Sequence, residues 1–156
     1  MSVSFNKYRV PVVNVVNLMK LVCREKHPHG LSDASFDGLF TKDKPVIFAF
    51  HGVPHLVQNL IFERTNRNFT IRGYMEEGSI STAFDMTVMN NIDRFHLVEA
   101  VCNKIANGDI PSVEDQTRWS ATYVKQEMKL ALLKHKEFIR EFGVDMEEIA
   151  NWKWDV

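Results

Sequence analysis

The sequence predicts an α/β domain in which helices flank a small, mostly parallel β-sheet. Three observations support this prediction. A short apolar run at 45–50 has the length of a buried strand, an amphipathic stretch follows it, and a second strand-like run occupies 68–74. A strand, a helix and a strand in this order form a crossover unit with parallel strands. The helix-rich last third of the chain is then expected to cover the sheet.

Length, composition and charge limit the number of domains and the class of partner. The 156 residues are 45% hydrophobic and 25% charged, which is typical of one globular domain, here residues 1–156. A net charge of −1 argues against nucleic acid and membrane partners, because both attract concentrated positive charge. The apolar runs are too short to span a membrane, and residues 1–10 contain no apolar secretory segment.

The cysteine content indicates a reducing compartment. Cys23 and Cys102 form no CxxC motif and have no recognisable ligand partners beside them. We therefore expect two small buried or half-buried thiols rather than a reactive pair. This pattern predicts a cytoplasmic location.

The first part of the chain is predicted to alternate between strands and short helices. The β-branched run at 8–16 favours a strand that is buried on both faces, and residues 17–22 could continue as a helical turn. Polar residues with Pro and Gly indicate a loop at 23–31. Ser32 is a plausible N-cap for the short helix that follows it.

The helix of the crossover unit begins soon after the strand at 45–50. Pro54 suits the first helical turn. The apolar face that is expected to pack inward consists of Leu56, Val57, Leu60 and Ile61. Arg64 and Arg67 follow this face next to Glu63, and we interpret them as a solvated helix end rather than a basic patch.

Capping residues divide the remainder of the chain into helices. Ser81 or Thr82 could cap a short helix, and Asp93 could cap the next one, which should end before Asn107-Gly108. A long helix is predicted over 113–142, with Gly143 directly after it and Asp145 as the cap of a last turn. The residues expected to pack inward from the two longer helices are Phe95, Val98, Val101, Cys102, Ile105, Trp119, Val124, Met128, Ala131, Leu132, Ile139 and Phe142.

Two surface features of this half are open to a functional interpretation. Trp152 and Trp154 either fold back onto the core or become buried against another subunit. Lys129, Lys136 and Arg140 alternate with acidic residues, so a solvated helix surface is favoured over a nucleic acid stripe.

The candidate chemistry lies where the two predicted strands end. His51 follows the first strand, and Arg72, Tyr74 and Glu76 lie at or after the end of the second. Open parallel sheets bind ligands beyond the carboxyl ends of their strands. These four residues, the strand-end cluster, could therefore form an acid/base pair or an anion site with Arg72 as a phosphate clamp. The alternative is that they satisfy loop backbones or contact another domain.

No metal site or complete catalytic motif is predicted. His51 and His55 are four residues apart, but Gly and Pro between them place the first before the helix. The pair His27 and His29 has no third ligand beside it. The sequence also contains no GxGxxG, GxxxxGK[ST], GxSxG or HExxH motif.

Several long segments resemble the C-terminal domain of phosphoketolases, which are relatives of transketolase. These segments are VVNVVNLMKL, HPHGLSDASFDGLFTKDKPVIFAFHG, RGYMEEGSISTAFDMTVMNNIDRFHL and NWKW, and the resemblance runs from Arg9 to Trp154. It implies a three-layer fold like the transketolase C-terminal domain. It also implies a complete enzyme of three α/β domains, of which the two thiamine-binding domains are absent from this sequence.

By this resemblance, the complete enzyme is a lyase that cleaves xylulose 5-phosphate, and often fructose 6-phosphate, with inorganic phosphate. The implied products are acetyl phosphate and a shorter aldose phosphate. Thiamine diphosphate and magnesium would lie between the first two domains at a homodimer interface, away from the third. The sequence lacks the family's Gly-Asp-Gly…Asn motif and its activating glutamate, since Glu76 and Glu77 match the RGY-x-EEG pattern of the C-terminal domain. No catalytic, cofactor-binding or metal-binding residue is therefore carried over.

The resemblance makes a structural and assembly role the expected function. The partners would be the two thiamine-binding domains and further copies of the enzyme in a homodimer or higher homo-oligomer, and the isolated chain is expected to be inactive. It would then be an excised domain or the product of a truncated reading frame. One alternative is a regulatory domain that binds a small ligand at the strand-end cluster. A small independent enzyme is a further alternative.

Overall fold

A computed structural model describes residues 11–76, 78, 81–108 and 121–152, without the side chains of residues 121, 122 and 124. The elements are a 3₁₀ helix Leu18–Leu21, α1 Asp33–Phe40, β1 Val46–Ala49, α2 Pro54–Ile61, β2 Phe69–Arg72, α3 Ala83–Met89, α4 Arg94–Ala106, α5 Ala121–Phe142 and α6 Glu147–Ala150. Helices surround a small parallel sheet, which confirms the predicted α/β class. Among the described residues, no helix is long and apolar enough to cross a membrane.

The crossover unit β1–α2–β2 forms the centre of the fold. The strands pair in parallel from Val46 opposite Phe69 to Ala49 opposite Arg72. Hydrogen bonds from Val46 N to Asn68 O (2.9 Å) and from Phe50 N to Arg72 O (3.0 Å) extend the pairing at both ends. The predicted parallel arrangement is therefore confirmed.

The main hydrophobic cluster lies between one face of the sheet and the first helices. Its buried members are Leu21, Phe36, Phe40, Phe48, Val57 and Ile61. The rings of Phe36 and Phe40 both approach Phe69 of β2, with centroid separations of 6.3 and 5.9 Å. The predicted inward face of α2 is buried or half-buried except at Leu56, which is 44% exposed.

Local capping signals set most helix ends as predicted. The side chains of Ser32, Thr82 and Asp93 accept hydrogen bonds from the first-turn amides of α1, α3 and α4. Gly108 and Gly143 follow α4 and α5 with φ angles of +79° and +71°, a backbone conformation that glycine adopts without steric cost. The helical turn predicted at 17–22 is also present, as the 3₁₀ helix.

The predicted strand at 8–16 is wrong over its described part. Residues 11–16 form no strand, and residues 8–10 lie outside the described residues. Val12 and Val16 are 91% and 90% exposed, although Val15 packs against the main cluster. A β-branched run favours an extended backbone, but a strand also needs a partner for its hydrogen bonds, and the local sequence does not specify one.

The C-terminal helices differ from the prediction at three points. Helix α5 is described from Ala121, so residues 113–120, including Trp119, fall outside the description, as does the side chain of Val124. Met128, Ala131, Leu132 and Ile139 are half-buried, whereas Phe142 is 56% exposed. Asp145 does not cap α6, because Met146 occupies the N-cap position without a side-chain hydrogen bond.

Candidate functional site

The ends of β1 and β2 bring two residues of the strand-end cluster together. The rings of His51 and Tyr74 stack with centroids 4.1 Å apart and planes inclined by 30°. Each residue follows its strand closely, and Tyr74 N donates to Gly52 O at 2.9 Å, which fixes the two loops side by side. His51 is exposed and Tyr74 half-buried, so the stacked pair faces solvent on one side.

Arg72 and Glu76 do not join this pair through hydrogen bonds. Arg72 Nη1 donates to Asn91 O at 2.8 Å and so links the end of β2 to the loop before α4. Glu76 is exposed, and within the described part of the chain no hydrogen bond or ion pair connects it to His51, Arg72 or Tyr74. The ligand role of the four residues stays a prediction.

Three residues outside the strand-end cluster support this edge. A Cβ at Gly73 would lie 2.4 Å from both Gly52 O and Pro54 Cδ, so only glycine allows the two loops to approach so closely. Asn90 Oδ1 accepts a hydrogen bond from Met75 N at 2.8 Å. Asn91 has a φ of +55°, a conformation in which Asn is enriched. The dipeptide Asn90-Asn91 was a turn signal that could have indicated this position.

A buried arginine fastens the first helices to the end of α2. Arg64 is 1% exposed, so its assignment to a solvated helix end is wrong. Its guanidinium donates to the carbonyl oxygens of Leu21, Val22 and Leu31 at 2.9, 2.6 and 2.9 Å. It also pairs with Asp33 at 2.7 Å. The position of Arg64 in the sequence could have indicated its burial, because Arg64 continues the buried face of α2 one turn beyond the end of the helix.

A second polar contact links α5 to α3 through Asp145. His135 is 1% exposed, and its Nε2 lies 3.1 Å from Asp145 Oδ1. This is an ion-pair distance, although the angles are not those of a hydrogen bond. The other carboxylate oxygen accepts from Phe84 N at 3.1 Å, and the Phe84 ring meets His135 edge-on. Asp145 therefore contacts α5 and α3 instead of capping α6.

A residue at the start of α4 contacts the C-terminal segment of the described chain. Arg94 lies over the rings of Phe84, Phe95 and Trp152, at 5.3, 4.7 and 4.8 Å from their centroids. Burial lowers the pKa of its guanidinium, partly offset by the charge of Asp93. Trp152 thus contacts the chain's own helices, as one of the two predicted alternatives required, while Trp154 lies outside the described residues.

The magnesium and thiamine diphosphate implied by the resemblance would need a cluster of metal ligands and a group of donors for phosphate. Among residues 11–76, 78, 81–108 and 121–152, no three His, Cys, Asp or Glu side chains are grouped as a metal site requires. Arg72, the expected phosphate clamp, directs Nη1 at a backbone carbonyl. Cys102 is buried, and burial raises the pKa of its thiol, with a further contribution from Glu99. No step of a reaction is therefore assigned to these residues.

Comparison with known proteins identifies the family. Residues 1–154 match the XFP C-terminal domain family. The chain belongs to this family. It is also 48% identical over 148 residues to a probable phosphoketolase of Chlorobaculum tepidum and 50% identical over 147 residues to probable phosphoketolase 1 of Rhizobium meliloti. Both alignments cover 94% of this chain but only 18% of the relative.

A probable phosphoketolase of Gloeobacter violaceus aligns with the chain to a similar extent. It is 47% identical over 152 residues, which cover 97% of the chain and 18% of the relative. The recognised resemblance to a phosphoketolase C-terminal domain is therefore confirmed. An XFP C-terminal domain accounts for less than a fifth of the length of these relatives.

Proposed function

We propose that the chain is the structural and assembly domain of a thiamine diphosphate- and magnesium-dependent phosphoketolase in the cytoplasm. In this proposal, the complete enzyme cleaves xylulose 5-phosphate with phosphate, and fructose 6-phosphate is a second candidate substrate. It releases acetyl phosphate and an aldose phosphate. The domain packs against the two thiamine-binding domains and contributes to a homodimer, and it has no catalytic activity by itself.

One observation carries this proposal. Almost the whole chain aligns with relatives that are named probable phosphoketolases, yet it corresponds to only 18% of their length. The exposed apolar residues are consistent with surfaces that pack against further domains, since Val12, Phe62 and Leu130 are 91%, 70% and 63% exposed.

A chimera tests the assembly role in a complete enzyme. The aligned region of the Chlorobaculum tepidum relative is replaced by this chain, and a matched version lacks the region altogether. We expect the chimera to be dimeric by light scattering and to release acetyl phosphate from xylulose 5-phosphate. The truncated version should lose dimer mass, turnover or both. A truncated version that stays dimeric and fully active would rule out an assembly role.

The strand-end cluster favours a second candidate, a regulatory domain that binds a small phosphorylated ligand. The solvent-facing stack of His51 and Tyr74, with Arg72 nearby in the chain, offers a ring surface and a cation. Calorimetry of the chain with acetyl phosphate, sugar phosphates and ATP tests it. Binding that His51→Ala removes and the exposed control His55→Ala retains would support this role. The absence of heat at millimolar ligand would exclude it.

A further inference from the structure

A groove of about 450 Å³ runs between α3 and α5, and none of its lining residues belongs to the strand-end cluster. Val88 and Met89 of α3 form one wall, and Glu99 of α4 lies at its side. Met89 at one rim and Leu133 at the other are 57% and 49% exposed. The groove therefore presents apolar side chains to solvent.

One continuous face of α5 forms the opposite wall. Seven residues of α5 line the groove, and their spacing of three and four places them on a single helical stripe: Lys125, Met128, Lys129, Leu132, Leu133, His135 and Lys136. The stripe extends for about 16 Å along the helix, at 1.5 Å per residue. An elongated apolar groove of about three turns matches the contact surface of a second helix.

The charged residues that line the groove differ in whether they are paired. Lys125 is neutralised locally, because its Nζ lies 3.3 Å from Glu99 Oε1. Lys129 and Lys136 are both exposed, and no carboxylate of the described residues pairs with either. Asp85, on the α3 wall, is the remaining acidic group and bonds to the hydroxyl of Ser81. The α5 rim therefore carries two cations that an acidic partner would complement.

We propose that the groove binds an amphipathic helix from the remainder of the longer phosphoketolase polypeptide. That helix has apolar residues at a spacing of three or four and acidic residues beside them. This inference rests on the proposed function, because the occupant belongs to the domains that the chain lacks. The apolar side chains enter between Met89 and Leu133, and the carboxylates pair with Lys129 and Lys136.

Site-specific photocrosslinking in the Chlorobaculum tepidum chimera identifies the occupant. Leu133→benzoylphenylalanine places the reactive group at the groove rim, and Lys134→benzoylphenylalanine, outside the lining, is the control. Crosslinked peptides are assigned by mass spectrometry. We expect the rim position to capture an acidic amphipathic segment of the other domains, and the control to capture it at a much lower yield, because Lys134 does not line the groove.

Charge reversal gives an independent readout. Lys129→Glu combined with Lys136→Glu should lower the crosslink yield about tenfold, whereas Lys134→Glu should leave it unchanged. If the Leu133 variant is insoluble, Met89→benzoylphenylalanine probes the opposite rim. Crosslinks confined to this domain or to a second copy of it, or no crosslink from either rim, would overturn the proposal.

The outcomes separate this inference from the assembly role. A chimera that depends on residues 1–156 for its dimer mass, yet gives no groove crosslink, retains the assembly role and loses the groove assignment. A truncated enzyme that remains dimeric and active removes the assembly role itself, whatever the crosslinks show.

Discussion

Replacing Arg64 by alanine should be among the most destabilising single substitutions in this chain. The side chain is 1% exposed, and its guanidinium serves three backbone carbonyls in addition to Asp33. The substitution removes three charge-assisted hydrogen bonds at about 1.5 kcal/mol each, and it takes the donor from the carbonyl of buried Leu21. It also removes the guanidinium that lies 4.3 Å from the centre of the Phe36 ring.

The expected loss in the free energy of unfolding is about 4 kcal/mol, a large fraction of the roughly 5–15 kcal/mol typical of a domain. Asp33→Ala should cost less than about 1 kcal/mol, because the Asp33 side chain is 67% exposed and its ion pair is screened by solvent. Arg64→Lys should remain destabilising, since an ammonium cannot reproduce the fork of donors.

Urea unfolding followed by circular dichroism measures these differences. Arg67→Ala is the matched control, because Arg67 is an exposed arginine three residues away and its loss should change stability by about 0.5 kcal/mol or less. If Arg64→Ala and Arg67→Ala unfold at the same urea concentration, the buried guanidinium does not stabilise the fold.

Three further predictions concern packing, thiol reactivity and the α3–α5 contact. Gly73→Ala should lower stability by about 1–3 kcal/mol, because its Cβ would lie 2.4 Å from Gly52 O, whereas Gly38→Ala has open space and should be neutral or stabilising in urea unfolding. Iodoacetamide at pH 8 should alkylate Cys23 before Cys102, because burial raises the pKa of Cys102, and equal rates in the folded protein would contradict this. Asp145→Ala should lower the melting temperature by a shift equivalent to about 1–3 kcal/mol, because it removes the acceptor for Phe84 N and the carboxylate 3.1 Å from Nε2 of buried His135. An unchanged midpoint would refute this role of Asp145.

Sequence signals that act over one helical turn predicted the structure well. Asp93 and Thr82 cap their helices because an N-cap side chain needs only the amides of the next few residues. Pro54 starts α2 for a similar reason, since its fixed φ and missing N–H suit the first turn. The strand pair was predicted because the connecting helix has the length of a crossover.

Features that depend on distant partners were not predictable in the same way. The exposed run at 11–16 has strand-like residues without a ladder partner, and Asp145 contacts Phe84, which is far away in sequence. From its place in the sequence, Arg64 resembles a surface residue. Its burial depends on the carbonyls of Leu21 and Leu31, which lie next to it only in the folded chain. Of the strand-end cluster, the sequence predicted the proximity of His51 and Tyr74, but not the diversion of Arg72 to Asn91.

The location of the main hydrophobic cluster divides the molecule into two tiers of local stability. All its members lie between Val15 and Ile71, whereas the buried apolar residues that the structure describes beyond Ile71 are Met86, Ala100, Cys102 and Ile149. The amide hydrogens that bond β1 to β2 should thus exchange with solvent mainly through global opening, and those of α5 and α6 through smaller, more frequent openings. The C-terminal helices could then adjust to a neighbouring surface while the crossover unit holds its geometry.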